Sequence, residues 1–442
     1  MHSRRRLAIV AGLAMLAVAP GCSRGDGGGG AVSAATSPFV AVDPASTSPT
    51  DQAIAKAQDR LRLDGSDSAR LALAQAFLQK VRETGDPSFY TRVDALLTET
   101  ARDREDDPLV LVAQGALALA RHQFADALEL GRKATAAAPG NVSALAVVVD
   151  ALNELGRYDE ALDATQAMAD ARPNLASLAR VSYARELRGD LPGAVGAMTQ
   201  AVTAGAGSGE NVAYVQVQLG NLLLTSGDVA GAEASYAAAE ESFPGFPLAK
   251  AGRARALVAR DEPGAAADLL AEVVQVLPTA EHVIAQGDAL AAAGRPREAT
   301  EAYALVDAIA KLYRANGVNV DLELALFTAD HKPGGAAVKQ ARQAAEQRRS
   351  VAGHDALAWS LFTAGKPAEA WPEAERALRL GTRDPQIRFH AASIALARGQ
   401  RTVAARHMAV VLETNPRFSA VLTPDVTRLA GRLDLTVPPP LQ

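Results

Sequence analysis

Few residues of this chain have types and spacings that could do chemistry. The seven histidines are scattered, and no two of them are three or four residues apart, so no helix presents a histidine pair to a metal ion. The single cysteine, Cys22, can form neither an internal disulfide nor a thiolate metal cluster. We therefore expect no metal site. The histidines are His2, His122, His282, His331, His354, His390 and His407.

Two local patterns resemble a phosphate-binding loop and a catalytic dyad but have simpler interpretations. The segment 205–209 reads Gly-Ala-Gly-Ser-Gly, and its place between two helical patterns favours a long turn over a phosphate loop. His354 and Asp355 are adjacent, and adjacent residues on a helix face different ways, which argues against a catalytic dyad. Outside residues 21–25, which directly follow the N-terminal apolar run, no Gly-x-Ser-x-Gly pattern occurs. We predict that the protein is not an enzyme and has no catalytic residues and no cofactor.

The composition favours closely packed helices. Hydrophobic residues make up 48% of the chain and aromatic residues only 4%, so alanine and leucine must fill the core. Both residues are strong helix formers. The net charge of −5 is mild, and no clustered basic face is evident. Since nucleic-acid binding needs such a face, we expect no nucleic-acid partner.

A Gly-x-x-x-x-Ala step recurs along the chain and indicates a repeat. Clear copies begin at Gly156, Gly294 and Gly365. Looser copies begin at Gly189, Gly227 and Gly399. Several alanine and proline pairs are 34 residues apart: Ala127 and Ala161, Ala232 and Ala266, Ala370 and Ala404, Pro139 and Pro173, Pro244 and Pro278. A period near 34 is typical of an array of helical hairpins.

Each recurring residue has a physical role in such a hairpin. Glycine between the two helices permits the left-handed backbone that ends the first helix. Proline just after that turn suits the start of the second helix, where a missing N–H costs nothing. Proline after the second helix prevents it from continuing. The first group of prolines is Pro263, Pro296 and Pro367, with Pro192 one residue later in its repeat; the second is Pro139, Pro173, Pro244, Pro278 and Pro416.

The pattern divides the chain into consecutive regions. An atypical helical repeat is predicted over 51–107, a regular array over 108–416, and a capping helix with a loose tail over 417–442. The alanine spacing lengthens to 38 residues in two places, between Ala194 and Ala232 and between Ala299 and Ala337. Hinges are therefore expected near 205–210 and 311–335, and residues 311–320 are expected to hold a lengthened helix or a loop.

These repeats resemble the tetratricopeptide repeat family. The copy over 214–244 matches the family pattern best, with Leu219-Gly220, Gly227, Ala232, Tyr236, Ala239 and Pro244. The resemblance implies an all-α, right-handed superhelical α-solenoid of antiparallel helix pairs, with about ten repeats over most of 68–416. It also implies a concave groove lined by the first helix of each repeat, which binds a protein or peptide partner.

Carrying the family's groove positions onto this chain gives a set of candidate binding residues. Amides such as Asn153 and Asn221 can hydrogen-bond an extended peptide backbone, and Asn221 is the strongest candidate. Trp359 also falls at such a position, but a core role is favoured for it. Acidic members of the set distinguish the groove from an all-basic clamp. The candidate groove residues are Asn153, Tyr183, Asn221, Arg255 and Asp288.

The N-terminus resembles a bacterial lipoprotein signal peptide. Residues 4–6 are arginines, residues 7–20 form an apolar run too short to span a bilayer as a helix, and Gly21-Cys22 follows. The resemblance implies export, with Cys22 as the lipid attachment site at the end of region 1–22. An ordinary cleaved signal peptide with an incidental cysteine is the alternative. Residues 23–50, rich in Gly, Ser, Thr and Pro, are expected to be a flexible tether.

Three functional hypotheses follow. The first is an extracytoplasmic scaffold, anchored to the outer face of a bacterial membrane by a lipid, that binds a protein or peptide partner in its groove; a soluble secreted form is a variant. The second is a structural spacer or assembly factor of an envelope complex, which uses the convex face or the array ends. The third is an enzyme or a regulatory subunit of one, for which the sequence offers no constellation of residues.

Overall fold

The computed structural model describes residues 35–205 and 209–441. Within these ranges the chain forms helices and no strands, and none of the helices is both long and apolar enough to cross a bilayer. The helices are α1 (Pro49–Asp64), α2 (Asp67–Thr84), α3 (Ser88–Ala101), α4 (Pro108–Ala120), α5 (Phe124–Ala137), α6 (Val142–Glu154), α7 (Tyr158–Ala171), α8 (Leu175–Leu187), α9 (Leu191–Ala204), α10 (Gly209–Thr225), α11 (Val229–Ser242), α12 (Pro247–Ala259), α13 (Pro263–Val276), α14 (Ala280–Ala292), α15 (Pro296–Ala315), α16 (Asp321–His331), α17 (Gly335–Gln347), α18 (Val351–Thr363), α19 (Pro367–Ala377), α20 (Pro385–Ala397), α21 (Arg401–Glu413) and α22 (Thr423–Arg432).

The helices pack as successive hairpins, from α4 with α5 to α20 with α21. Many even-numbered helices also pack against the next even-numbered helix, as α4 does on α6 and α16 does on α18. No comparable packing joins one odd-numbered helix of the array to the next within the described ranges. The even-numbered helices therefore line the concave side, and the odd-numbered helices lie outside them. This confirms the predicted fold class, an α-solenoid of antiparallel helix pairs.

Glycine and proline occupy the predicted places in many of the hairpins, whereas His122 and Asp261 hold the left-handed position between α4 and α5 and between α12 and α13. Gly156, Gly189 and Gly227 have φ values of +70°, +76° and +88° in the turns between paired helices. Gly294, Gly365 and Gly399 have φ values of +73°, +78° and +76°. The second helix begins at Pro263 in α13, at Pro296 in α15 and at Pro367 in α19. The prolines at 139, 173, 244, 278 and 416 all follow the end of a second helix.

The array winds far enough for its second superhelical turn to contact its first. His122 Nδ1 lies 2.6 Å from the carbonyl oxygen of Asn319, a residue 197 positions later. The backbone N–H of Val351 donates to the hydroxyl of Tyr158, 193 positions earlier, at 2.7 Å. With a repeat of about 34 residues, one superhelical turn takes between five and six repeats.

The turn glycines of the first superhelical turn lie directly against the backbone of the second. A Cβ atom on Gly189 would be 2.6 Å from the carbonyl oxygen of Gly381, and one on Gly227 would be 2.9 Å from that of Thr414. A Cβ on Gly156 would be closer still to the carbonyl oxygen of Arg349. The corresponding glycines of the second turn, Gly294, Gly365 and Gly399, have open space around that position.

The largest hydrophobic cluster also spans both superhelical turns. It joins buried residues of α1 to α3, such as Ile54 and Phe77, to buried residues of α13 to α16, such as Leu270 and Phe327. Helix α15 has 20 residues and is followed by a loop over 316–320, so the predicted lengthening at 311–320 is confirmed. Its extended end is fixed to the first turn, because the Tyr313 hydroxyl donates to the carbonyl oxygen of Gly85 at 2.8 Å. A hinge in this region stays a prediction.

The chain ends of the described part pack on the array. Val40 and Val42, within the region expected to be a tether, lie against the cluster formed by α1 to α3. The carbonyl oxygen of Ser37 accepts a hydrogen bond from the Arg92 guanidinium at 2.5 Å. At the other end, α22 buries Val426, Leu429 and Ala430 against the last repeats, and Leu441 packs on the cluster of α10 to α12. The other predicted hinge, near 205–210, includes 206–208, which lie outside the described residues.

The paired glycines give a direct test of the contact between superhelical turns. We expect Gly189→Ala to destabilise the fold more than Gly365→Ala, although φ is +76° and +78° at the two positions. Both substitutions carry the strain of a left-handed alanine, about 1–2 kcal/mol. Only Gly189→Ala also forces a methyl group into the backbone of the next turn, at a further cost of about 1–3 kcal/mol.

Urea denaturation of both variants measures the difference in the free energy of unfolding. Small-angle scattering should show expansion of the Gly189→Ala protein alone. Equal losses for the two variants, with unchanged scattering, would contradict the packed turns.

Candidate binding surface on the concave face

The five sequence-predicted groove residues lie on five consecutive even-numbered helices. Asn153 is in α6, Tyr183 in α8, Asn221 in α10, Arg255 in α12 and Asp288 in α14. The structure thus places one of them in each repeat on the concave side. Arg255 and Asp288 line one common cavity, and the other three residues lie outside it.

Asn221 and Asp288 already have partners within their own repeats. The Tyr236 hydroxyl donates to the Asn221 amide oxygen at 2.9 Å, and the Tyr303 hydroxyl donates to Asp288 Oδ1 at 2.7 Å. Each tyrosine follows its partner by 15 residues. Asp288 Oδ1 also lies 3.1 Å from His331 Nε2. Both groove residues therefore fasten the second helix of a hairpin to the first, in addition to any role in binding.

The tyrosine rings fit because glycine lies beneath them. A Cβ on Gly220 or on Gly252 would collide with the ring of Tyr236, and one on Gly287 would collide with that of Tyr303. The Leu-Gly element of the repeat therefore has a clear packing reason, which is to admit an aromatic ring between neighbouring first helices.

Tyr183 is exposed to a partner, whereas Asn153 is a buried amide without a side-chain partner in the described chain. The Asn153 amide has no hydrogen bond within the described chain, and the residue is 7% exposed. Tyr183 is 40% exposed, and Tyr214 on the next even-numbered helix is 43% exposed. Loss of solvation nevertheless raises the pKa of Tyr183, and the nearby carboxylate of Glu154 raises it further. The ring of Tyr183 is therefore partly exposed while its hydroxyl has lost water, as expected in a narrow lumen surrounded by protein.

Arg348 connects the two superhelical turns where they contact each other. Its guanidinium donates to Glu154 of α6 and, at 3.2 Å, to Glu323 of α16. About a fifth of each of the Arg348 and Glu154 side chains is exposed. The guanidinium also lies over the ring of Phe124, 5.5 Å from its centroid. Sequence reasoning missed this residue, because nothing local links positions 194 residues apart.

Glu186 and Asp384 are like charges that approach each other from different turns. Glu186 precedes the Gly189 turn by three residues, and Asp384 follows Gly381 by three residues, so the contact between these glycines brings them together. Burial, and then the charge of Asp384, raise the pKa of Glu186 to about 7. Burial also raises the pKa of Asp384 and that of Asp330. The lumen therefore holds carboxylates that lack a full complement of cations.

The histidine–acid pairs of the structure are internal. His354 Nδ1 lies 2.8 Å from Glu373, so His354 and Asp355 do face different ways, as their adjacency predicts. Asp355 instead contacts Nδ1 of His390 at 3.0 Å, and that ring stacks on Trp359 with centroids 4.0 Å apart. His390 is 1% exposed, Asp355 4% and Trp359 6%, so the core role favoured for Trp359 is confirmed. Among the described residues no group of three or more His, Cys, Asp or Glu could hold a metal ion.

The raised pKa of Glu186 predicts a pH dependence of stability. Between about pH 4.5, the ordinary value, and pH 7, the folded protein keeps this proton while the unfolded chain releases it. The folded state then binds more protons, so the free energy of unfolding falls as the pH rises through this window and levels above it. Asp330 and Asp384 act in the same direction.

We expect Glu186→Gln to flatten this slope, because a neutral amide does not titrate. Thermal unfolding followed by circular dichroism from pH 4.5 to pH 8 measures it. Glu129→Gln is the matched control, since Lys133 lowers the pKa of that exposed carboxylate and its effect falls below the window. A Glu186→Gln protein that keeps the full slope would show that another group is responsible.

Comparison with known proteins agrees with this architecture. The tetratricopeptide repeat family model matches residues 109–176, 217–281 and 356–417. A search of curated proteins found no match. Among solved structures, TTC0263, a thermophilic TPR protein from Thermus thermophilus, is 20% identical, with 44% of this chain and 100% of that chain covered and a TM-score of 0.39. The yeast Tom70 structure is 14% identical, with coverages of 83% and 96% and a TM-score of 0.34.

A further similar structure is that of the human IFIT1 dimer with m7Gppp-AAAA. It is 14% identical, with 75% of this chain and 77% of that chain covered and a TM-score of 0.47. The hairpins, the left-handed glycine turns, the tyrosines over glycine and the matched segments lead to one conclusion: the chain carries tetratricopeptide repeats, which the family model matches over 109–176, 217–281 and 356–417.

Proposed function

We propose that this protein is a scaffold that binds an extended segment of a protein or peptide partner in its concave lumen. Tetratricopeptide repeat proteins bind protein or peptide partners, and the observation that supports the concave side here is its set of unsatisfied side chains. Tyr183 and Tyr214 expose aromatic surface, and the Asn153 amide lacks a partner in the described chain. Aromatic rings and free amides are suited to hold side chains and backbone of an extended segment.

The proposal includes the N-terminal anchor. Cys22 and the preceding signal-like sequence lie outside the described residues, and the support for lipid attachment is their order in the sequence. We propose that the protein is exported, is held at the outer face of a bacterial membrane through Cys22 and presents the array from there. It acts through binding and not through catalysis, which agrees with the burial of the His390–Asp355 pair in the core.

A second candidate function uses the convex face. Leu305 and Leu312 of α15 are 49% and 51% exposed, and their separation of seven residues puts them on one side of the helix. This outer apolar strip favours the role of a spacer or assembly factor, in which a neighbour in an envelope complex docks on α15.

Site-specific photocrosslinking distinguishes the two functions. A photoreactive residue at position 183 is expected to crosslink to a partner in intact cells, because Tyr183 faces the lumen and is 40% exposed. Position 162 is the control, since Leu162 is 43% exposed and lies on the outer helix α7. Crosslinks at 305 with none at 183 would support the spacer and contradict the groove.

The anchor has its own test. Mass spectrometry of the mature N-terminus should find lipid on Cys22, and Cys22→Ser should move the protein from the membrane fraction to the soluble fraction. Cell fractionation followed by immunoblotting measures the shift, and Ser23→Ala serves as the control. An unmodified Cys22 in the mature protein would support the soluble, secreted variant.

A further inference from the structure

A small cavity lies beside α12 and α14. These two helices form one side of it, and Gln386 and residues 418–420, from later in the chain, cover the other. Its volume is about 200 Å³. At about 30 Å³ for each water molecule, that is room for a small molecule and too little for a folded partner.

The cavity exists because one repeat lacks the tyrosine that its neighbours have. Asn221, Arg255 and Asp288 occupy the same position in three consecutive repeats. Asn221 and Asp288 each bond to a tyrosine 15 residues later, whereas the residue 15 positions after Arg255 is Leu270. Leu270 lines the cavity and offers no hydroxyl. The groove residue of this repeat is thereby left without its internal partner.

Arg255 is consequently a free cation. Its guanidinium is exposed and has no ion pair or hydrogen bond with any residue that the structure describes. Other arginines that reach the lumen are paired, as Arg180 is with Asp150 at 2.8 Å. A guanidinium in a partly enclosed site gains most from a carboxylate, which it can hold through two parallel hydrogen bonds.

His282 contributes an unused acceptor to the same cavity. The residue is 4% exposed, and its Nδ1 lies 3.1 Å from the carbonyl oxygen of Leu277 and 2.9 Å from the Thr279 hydroxyl. Since a carbonyl oxygen only accepts, Nδ1 carries the proton and Nε2 presents a lone pair. Burial lowers the pKa of His282, so the ring is neutral at pH 7, although Glu281 acts against this shift. No described residue bonds to Nε2.

The remaining lining combines negative charge with apolar surface. Glu281 is exposed and has no partner in the described chain, and Asp288 uses only Oδ1 for Tyr303 and His331. The apolar walls come from Val258, Leu270, Ala285 and Phe418. The cavity thus offers a cation at one point, hydrogen-bond acceptors at another and an apolar wall between the helices.

We propose that this cavity binds a small zwitterionic α-amino acid with an apolar side chain. The carboxylate of the ligand lies on Arg255, the ammonium donates to His282 Nε2 and to the carboxylates of Glu281 and Asp288, and the side chain lies against the apolar walls. This site is separate from the scaffold function, because it needs neither Tyr183 nor Asn153. Because the ligand contacts α12, α14 and Phe418 together, its binding stabilises the folded array.

Isothermal titration of the full chain tests the proposal, with L-valine, L-leucine and L-phenylalanine as probes. At least one is expected to bind and to raise the midpoint of thermal unfolding. The N-acetyl and amide derivatives of that amino acid each lack one charge, and we expect each to bind at least tenfold more weakly. An N-acetyl derivative that binds as well as the amino acid would overturn the zwitterion and indicate a site for a peptide C-terminus.

Variants on one helix show whether Arg255 carries the binding. Arg255→Met is expected to weaken the best amino acid at least tenfold. Arg253→Met is the matched control, because Arg253 lies on the same helix, pairs with Glu240 at 3.7 Å and lines a different depression, so it should change nothing. Absence of binding by all three amino acids, or equal affinity in the Arg255→Met protein, would overturn the site. Crosslinking at position 183 is independent of either result.

Discussion

The structure depends on a close backbone contact between successive superhelical turns. Gly156, Gly189 and Gly227 lack a Cβ, and this absence lets the linkers of the second turn approach the hairpin turns of the first. The left-handed φ of these glycines is a local requirement of every hairpin. The close approach is an additional, non-local requirement that only the first turn meets, since the glycines of the second turn have open space beside them.

This contact determines the electrostatics of the lumen. When the second turn lies on the first, carboxylates such as Glu186 and Asp384 lose water without gaining a cation, and their pKa values rise. Arg348 offsets part of this cost by holding Glu154 and Glu323 together. Charges interact more strongly where water is excluded, so these uncompensated carboxylates have more effect than they would on an open surface.

The local part of this architecture could be predicted from the sequence. Helix starts at Pro263, Pro296 and Pro367 and the glycine turns follow from backbone conformation alone, and both were predictable. The tyrosine pairs of Asn221 and Asp288 carried a usable signal, namely an amide or carboxylate 15 residues before a tyrosine in the same repeat. The groove residues themselves were identified through the family resemblance, and their roles in binding stay predictions.

The non-local part could not be predicted, for a physical reason. The partnership of Arg348 with Glu154 depends on how many repeats make one superhelical turn, and that number is the sum of small rotations at every helix interface. The packing of Val40 and Val42 on the largest hydrophobic cluster could not be predicted either. A short apolar pair in a segment rich in Gly, Ser and Pro gives no periodic signal.

Residues that recur along the array and residues that do not recur have different roles, and this difference explains where binding specificity can arise. A residue that recurs in most repeats, such as the turn glycine, serves the hairpin and cannot distinguish one partner from another. Leu270 lies where the two flanking repeats have Tyr236 and Tyr303, and Arg255 of that repeat consequently has no internal partner among the described residues. A single apolar substitution in an outer helix thereby leaves a charge free on the inner face. In an array held together by identical contacts, such interruptions are the positions at which a binding site can develop without weakening the rest of the fold.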